Sequence, residues 1–208
     1  MVSPPAPHPP LEVPIPLPVP LHAKAEDNLR FIRETMERAG SFTALSGWGQ
    51  VAIGVTACIA ALLASRVDSA DRWLAVWLGE ATLAVAISMA TTTWKTRDAR
   101  VPLMSGPARK FALSFVPTMA AGAALTVVLV SRQEYVMLPA LWMLLYGAAV
   151  VSAGTFSVPS VPVMGTCFML CGVVALLAPG IPRDALMAAA FGALHIGFGA
   201  YIARRHGG

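Results

Sequence analysis

Six apolar stretches, each about twenty residues long and parted by short polar turns, fill the chain from residue 43 to residue 203. They lie near 43–65, 71–94, 109–131, 135–157, 160–179 and 184–203. About 20 helical residues cross a hydrocarbon layer ~30 Å thick. Inside that layer no water pairs with backbone N–H and C=O groups, so only helices or closed barrels can span it. The alternation of apolar and polar residues that barrel strands require is absent here. The pattern predicts an all-α, polytopic membrane protein with six transmembrane helices.

Composition closes off the alternatives. Of the 208 residues, 56% are apolar and only 12% charged, against about 25% charged in a soluble domain. Cys58, Cys167 and Cys171 all sit within apolar stretches, which excludes an extracellular disulfide framework. The formal charge of +4 is that of a membrane protein with basic inner loops, and no folded basic module points to nucleic acid. The first 20 residues lack the basic start and apolar core of a cleavable signal, so targeting falls to the first span.

Two segments precede the spans. Residues 1–22 form a proline-rich tail in which Pro14, Pro16, Pro18 and Pro20 alternate with apolar residues. Proline removes an amide donor and clashes with the preceding turn, so this tail is expected to be polyproline II or disordered. It reads as a flexible tail, with docking to an aromatic groove as the alternative. Residues 23–40 follow as an amphipathic helix, with Leu29, Ile32 and Met36 on one face and Glu26, Arg30, Arg33, Glu34 and Glu37 around the rest. Its mixed charge favours packing against protein over binding to anionic lipid. Residues 41–208 make the six-helix domain.

Lysine and arginine set the expected orientation. With the N-terminus inside, the inner segments hold Lys24, Arg30, Arg33, Arg38, Lys95, Arg97, Arg100, Arg109, Lys110, Arg204 and Arg205. The outer loops hold only Arg66, Arg72, Arg132 and Arg183. This bias predicts both termini in the cytoplasm. The outer turns share a frame, Leu-Leu-Ala-Ser-Arg at 62–66, Val-Leu-Val-Ser-Arg at 128–132 and Leu-Leu-Ala-Pro-Gly at 176–180. The spans after them carry Gly79, Gly147 and Gly192 at similar depth, which raises three pseudo-repeated hairpins as an arrangement. Glycines also recur seven apart, Gly47 with Gly54, Gly147 with Gly154, Gly165 with Gly172 and Gly192 with Gly199. Each pair lies on one helix face, where small residues let backbones approach closely in lipid.

Few residues can carry chemistry. Glu80 lies in the second span, roughly 12 Å along the helix from Arg72. A carboxylate at that depth costs several kcal/mol unless protonated or paired, so it is a functional candidate. His195 lies in the sixth span, roughly 18 Å beyond Arg183. The two could meet near mid-membrane as a proton relay or as a structural hydrogen bond. Cys167 and Cys171 face one side of the fifth helix. With His195 and Glu80 they would complete a metal site on paper, although buried cysteine is most often a small hydrophobe. No catalytic triad motif, phosphate loop or HExxH is present. Trp48, Trp73 and Trp94 lie near span ends, where indoles anchor at the interface. Pro117 and Pro139 fall within spans three and four, where a kink is expected.

Three stretches carry a family resemblance: Phe-Ile-Arg-Glu-Thr-Met-Glu-Arg-Ala-Gly-Ser-Phe-Thr-Ala at 31–44, Gly47-Trp48-Gly49, and Phe-Gly-Ala-Leu-His-Ile-Gly-Phe-Gly-Ala-Tyr-Ile-Ala-Arg-Arg-His-Gly-Gly at 191–208. Residues 31–208 resemble a group of bacterial six-helix integral membrane proteins of unknown function. The resemblance implies a bacterial source and supplies no activity. The functional expectation is a non-enzymatic scaffold, sensor or accessory subunit of the bacterial inner membrane, without a cofactor. Its partners would be the lipid bilayer and a second copy or another protein met through residues 23–40. The alternative is a small transporter or channel for protons or a small solute, built on Glu80 and His195.

Overall fold

The computed structural model describes residues 26–32, 46–98, 106–178 and 180–206. Residues 26–32 are helical (α1), inside the helix expected over 23–40. Asp27 and Arg30 form an ion pair of 2.6 Å on the charged side of this helix, and Leu29 and Ile32 are exposed. The proline-rich tail and the remainder of the 23–40 helix lie outside the described residues.

The second unit of the chain is the helical bundle, with elements α2 (Gly47–Ala64), α3 (Ala70–Asp98), α4 (Gly106–Ser131), a 3₁₀ turn (Tyr135–Met137), α5 (Leu138–Gly154) and α6 (Ser160–Leu177). It closes on α7 (Arg183–Met187), a π-helical segment (Ala188–Leu194) and α8 (His195–His206), which run on without a break. We call that last continuous length the rod. Six helical lengths are long and apolar enough to cross a membrane, and no strand occurs among the described residues. The chain is an all-α, multi-pass membrane protein.

Local chemistry explains the ends. Ser46 caps α2 by accepting the Gly49 amide at 3.1 Å. Asp71 sits in the first turn of α3 and Lys95 and Arg97 in its last, each sign matched to the helix dipole. Pro117 lies inside α4 as expected. Pro139 does not kink a helix. The apolar run through Tyr135, Val136 and Met137 winds as a 3₁₀ turn, and Pro139 falls in the first turn of α5, where its missing amide leaves no bond unmade.

The seven-spaced glycines form the closest helix contacts, and they do so in two matched sets. A Cβ placed on Gly54 of α2 would stand 2.6 Å from Gly192 O, 2.7 Å from Ile196 Cγ1 and 2.8 Å from Ile196 N on the rod. A Cβ on Gly147 of α5 would stand 2.6 Å from Gly165 O, 2.7 Å from Met169 Cγ and 2.8 Å from Met169 N on α6. One register is thus used twice, between antiparallel α2 and the rod and between antiparallel α5 and α6. Gly199 against Val51 N and Gly172 against Leu144 N extend the correspondence one step along each pair. The helices therefore mate as two glycine-lined pairs. The expected third hairpin does not close as a tight pair, because α6 packs mainly on α5 and the rod mainly on α2. Gly79, the first glycine of that expected repeat, has nothing within 4 Å of a Cβ built on it.

The remaining helices flank these pairs, α3 beside α2 and α4 beside α5. Only 6% of the apolar window of α3 or α4 is buried, against 50% for α2, which puts both on the periphery. Trp73 is the point where α3 enters the core. It is fully buried, among Ala64, Trp77, Leu138 and Met187, and is not an interface anchor. Trp48 and Trp94 are exposed, in keeping with that role. A second core cluster joins Met143 and Val150 of α5, Phe168 of α6, Ala190 of the π segment and Ile202 of α8.

Candidate functional site

Glu80 lies about ten residues, or 15 Å, into α3. Its partner is Thr56, near the midpoint of α2. Thr56 Oγ1 stands 2.8 Å from Glu80 Oε1 and 2.9 Å from Ile53 O, the carbonyl one turn back on its own helix. A hydroxyl has one hydrogen to donate. A carbonyl only accepts, so both short contacts become hydrogen bonds when Glu80 donates to Thr56 and Thr56 donates to Ile53 O. The arrangement fits a carboxylic acid bridging two helices. Glu80 is half-buried, and its neighbours Gly79, Ala81 and Thr82 are exposed.

His195 lies where the π-helical segment returns to α-helix. It is almost fully buried, and both ring nitrogens are engaged. Nδ1 is 2.9 Å from Phe191 O and Nε2 is 2.8 Å from the Tyr146 hydroxyl on α5. Because Phe191 O can only accept, Nδ1 carries the hydrogen and Nε2 receives the bond that Tyr146 donates. In a π turn the backbone ladder runs from i to i+5, so the side chain finds a carbonyl freed from the ordinary i to i+4 pattern. Phe168 lies edge-on to the ring at 5.2 Å and Phe191 stacks on it at 6.3 Å. His195 thus ties the two glycine-lined pairs together through an aromatic seam.

The structure does not bring the two sequence candidates together. No hydrogen bond or ion pair joins Glu80 to His195. Glu80 belongs to the α2–α3 contact, and His195 to the contact between the rod and α5. Helix depth placed both near mid-membrane, but depth does not say which faces meet.

A third polar group gathers at one end of the bundle. The Tyr135 hydroxyl donates to Asp71 Oδ1 at 2.5 Å, and Trp73 Nε1 donates to Asp184 Oδ1 at 2.7 Å. The Arg183 guanidinium lies 4.5 Å from the centre of a Trp73 ring. Trp73 stacks on Trp142 at 5.7 Å, and Trp142 Nε1 donates to Thr126 Oγ1 at 2.9 Å. This chain of contacts links α3, the 3₁₀ turn, α4, α5 and α7.

Cys167 and Cys171 are half-buried free thiols one turn apart on α6, and Cys171 packs beside the second core cluster. No three His, Cys, Asp or Glu side chains gather closely enough for a metal ion among the described residues, since His195 and Glu80 are engaged elsewhere. Thr56 and Tyr146, the partners of the two candidates, were not singled out from sequence. A polar group in the middle of an apolar span marks both, the same signal that marks Glu80.

No protein-family model matches the chain, and no match is found among curated proteins or solved structures.

Proposed function

We propose that this protein is a non-enzymatic subunit of the bacterial cytoplasmic membrane, acting as a scaffold, sensor or accessory component, with both termini in the cytoplasm. The observation that carries the reading is where the polar groups go. Glu80, His195, Trp73 and Trp142 are each engaged by another side chain of the same bundle, as interhelical ties. Meanwhile α3 and α4 each pack on the bundle along one side and leave the other to the surroundings. Leu29 and Ile32 stand exposed in the segment assigned to protein contact, residues 23–40. The excess of lysine and arginine in the segments assigned to the inside supports the orientation.

The test is native mass spectrometry of the protein released from its own membranes in mild detergent. A defined stoichiometric complex that is lost on deletion of residues 23–40 is the expected result. A monomer with no partner and no self-association would refute the reading. The transporter alternative draws its support from Glu80, the one mid-span carboxyl among the described residues, which has an open side. Reconstituted vesicles that carry proton flux, lost in Glu80→Gln, would favour it.

A further inference from the structure

We propose that Glu80 is a proton-binding site open sideways to the hydrocarbon, holding a neutral carboxylic acid on the outer flank of the bundle at mid-membrane. The inference rests on the membrane placement of the helices and on no partner. Three observations converge on it. First, the geometry at Thr56 accommodates a proton on the carboxyl. With contacts of 2.8 Å and 2.9 Å at one hydroxyl, an ionised Glu80 would compete with Ile53 O for a single hydrogen, whereas a protonated one completes a donor chain from Glu80 through Thr56 to Ile53 O.

Second, the described residues around Glu80 offer no countercharge. α2, the element packed on α3 here, carries no charged side chain, and Cys58 is its one titratable group. The other charged residues of α3 itself, Asp71, Arg72, Lys95, Arg97 and Asp98, lie at its two ends. Arg183 and Asp184 of α7 reach α3 at Trp73, about two turns from Glu80. An unpaired carboxylate at the middle of a span is disfavoured against the neutral acid.

Third, the site is open on one side. Glu80 is half-buried, Gly79 beside it has open space, and α3 is a peripheral helix. The open side lies on the outer flank of the bundle, where a reagent dissolved in the bilayer reaches the carboxyl. His195 is different in kind, because its ring is enclosed by Tyr146, Phe168 and Phe191.

A hydrophobic carbodiimide tests this directly. Such reagents partition into lipid and add to protonated carboxyls. The carboxyl oxygen attacks the central carbon, the acid proton passes to a carbodiimide nitrogen, and oxygen-to-nitrogen acyl migration leaves a stable N-acylurea. The reaction is a pure addition, with no leaving group. The full-length protein in liposomes at pH 7 is treated with dicyclohexylcarbodiimide and mapped by peptide mass spectrometry. The expected result is one added reagent on Glu80, with Asp71, Glu134 and Asp184 unmodified. A parallel sample receives a water-soluble carbodiimide with glycine ethyl ester, which is expected to spare Glu80. Labelling of Glu80 by the water-soluble reagent would overturn the proposal, since the carboxyl would then face an aqueous path. Absence of labelling by both would also overturn it, by showing a carboxyl sealed between helices. The readout is on the wild-type chain, so no variant has to fold for the answer to count.

Discussion

Substitution of Gly147 by alanine probes the packing logic of the whole bundle. A Cβ there would stand 2.6 Å from Gly165 O and 2.8 Å from Met169 N, with 3.4 Å the start of ordinary contact. These two neighbours are backbone atoms, so moving the Met169 side chain, whose Cγ would stand at 2.7 Å, does not relieve the overlap. α5 and α6 must part by about 0.8 Å, and the loss spreads to Gly165 and Gly172, which use the same seam. Overpacking of this kind costs typically 1–3 kcal/mol, and the rigid neighbours put it near the upper end. Alanine returns up to about 1 kcal/mol of helix propensity, leaving a net loss of about 2 kcal/mol. Gly79→Ala is the matched control, because it gains the same propensity and meets open space. Thermal unfolding of both variants in one detergent should lower the midpoint by several degrees for Gly147→Ala and leave it unchanged or raised for Gly79→Ala. Equal shifts for the two would refute the argument that close backbone approach, and not glycine itself, holds the helices together.

Three further outcomes are expected. A double-mutant cycle on His195→Phe and Tyr146→Phe, read by unfolding, should give a coupling of at least about 0.5 kcal/mol, because each single change strands a buried polar group; additive losses would deny the bond. Thr56→Val should cost about 0.6–1.7 kcal/mol in unfolding and Thr56→Ser much less, the range for an interhelical hydrogen bond in lipid; equal losses would place the effect in packing. A cysteine at Val136, 81% exposed within the 3₁₀ turn, should react with an impermeant maleimide from outside the cell, and one at Arg204 only after the membrane is opened; the reverse pattern would invert the topology.

Particular residues show how much of the molecule was readable beforehand. The glycine pairs were readable as close-contact faces, since seven residues return a helix to the same side. Which pair met which was not, and Gly79 looked like its equivalents while facing open space. Glu80 and His195 stood out because an ionisable group in an apolar run is conspicuous. Their partners Thr56 and Tyr146 did not, as hydroxyls are tolerated in spans for many reasons. Trp73 read as an interface anchor from its position near a span end, yet its indole is buried and bonded to Asp184, 111 residues along the chain. Pro139 read as a kink because nothing local distinguished the 3₁₀ turn at Tyr135–Met137 from helix.

The sequence by itself determined the solvent and therefore the class. Long apolar runs can satisfy their backbones in lipid only as helices, so number, length and type of element follow from hydropathy alone. Partner choice belongs to the tertiary structure. These helices are apolar on every side, so no amphipathic stripe marks the face that will be buried, as one does in a soluble bundle. Contact is decided by backbone fit, glycine against glycine, and by a few hydrogen bonds between residues far apart in the chain. That is why Glu80 went to Thr56 and His195 to Tyr146, and why the two groups that sequence placed at one depth ended in different parts of the bundle.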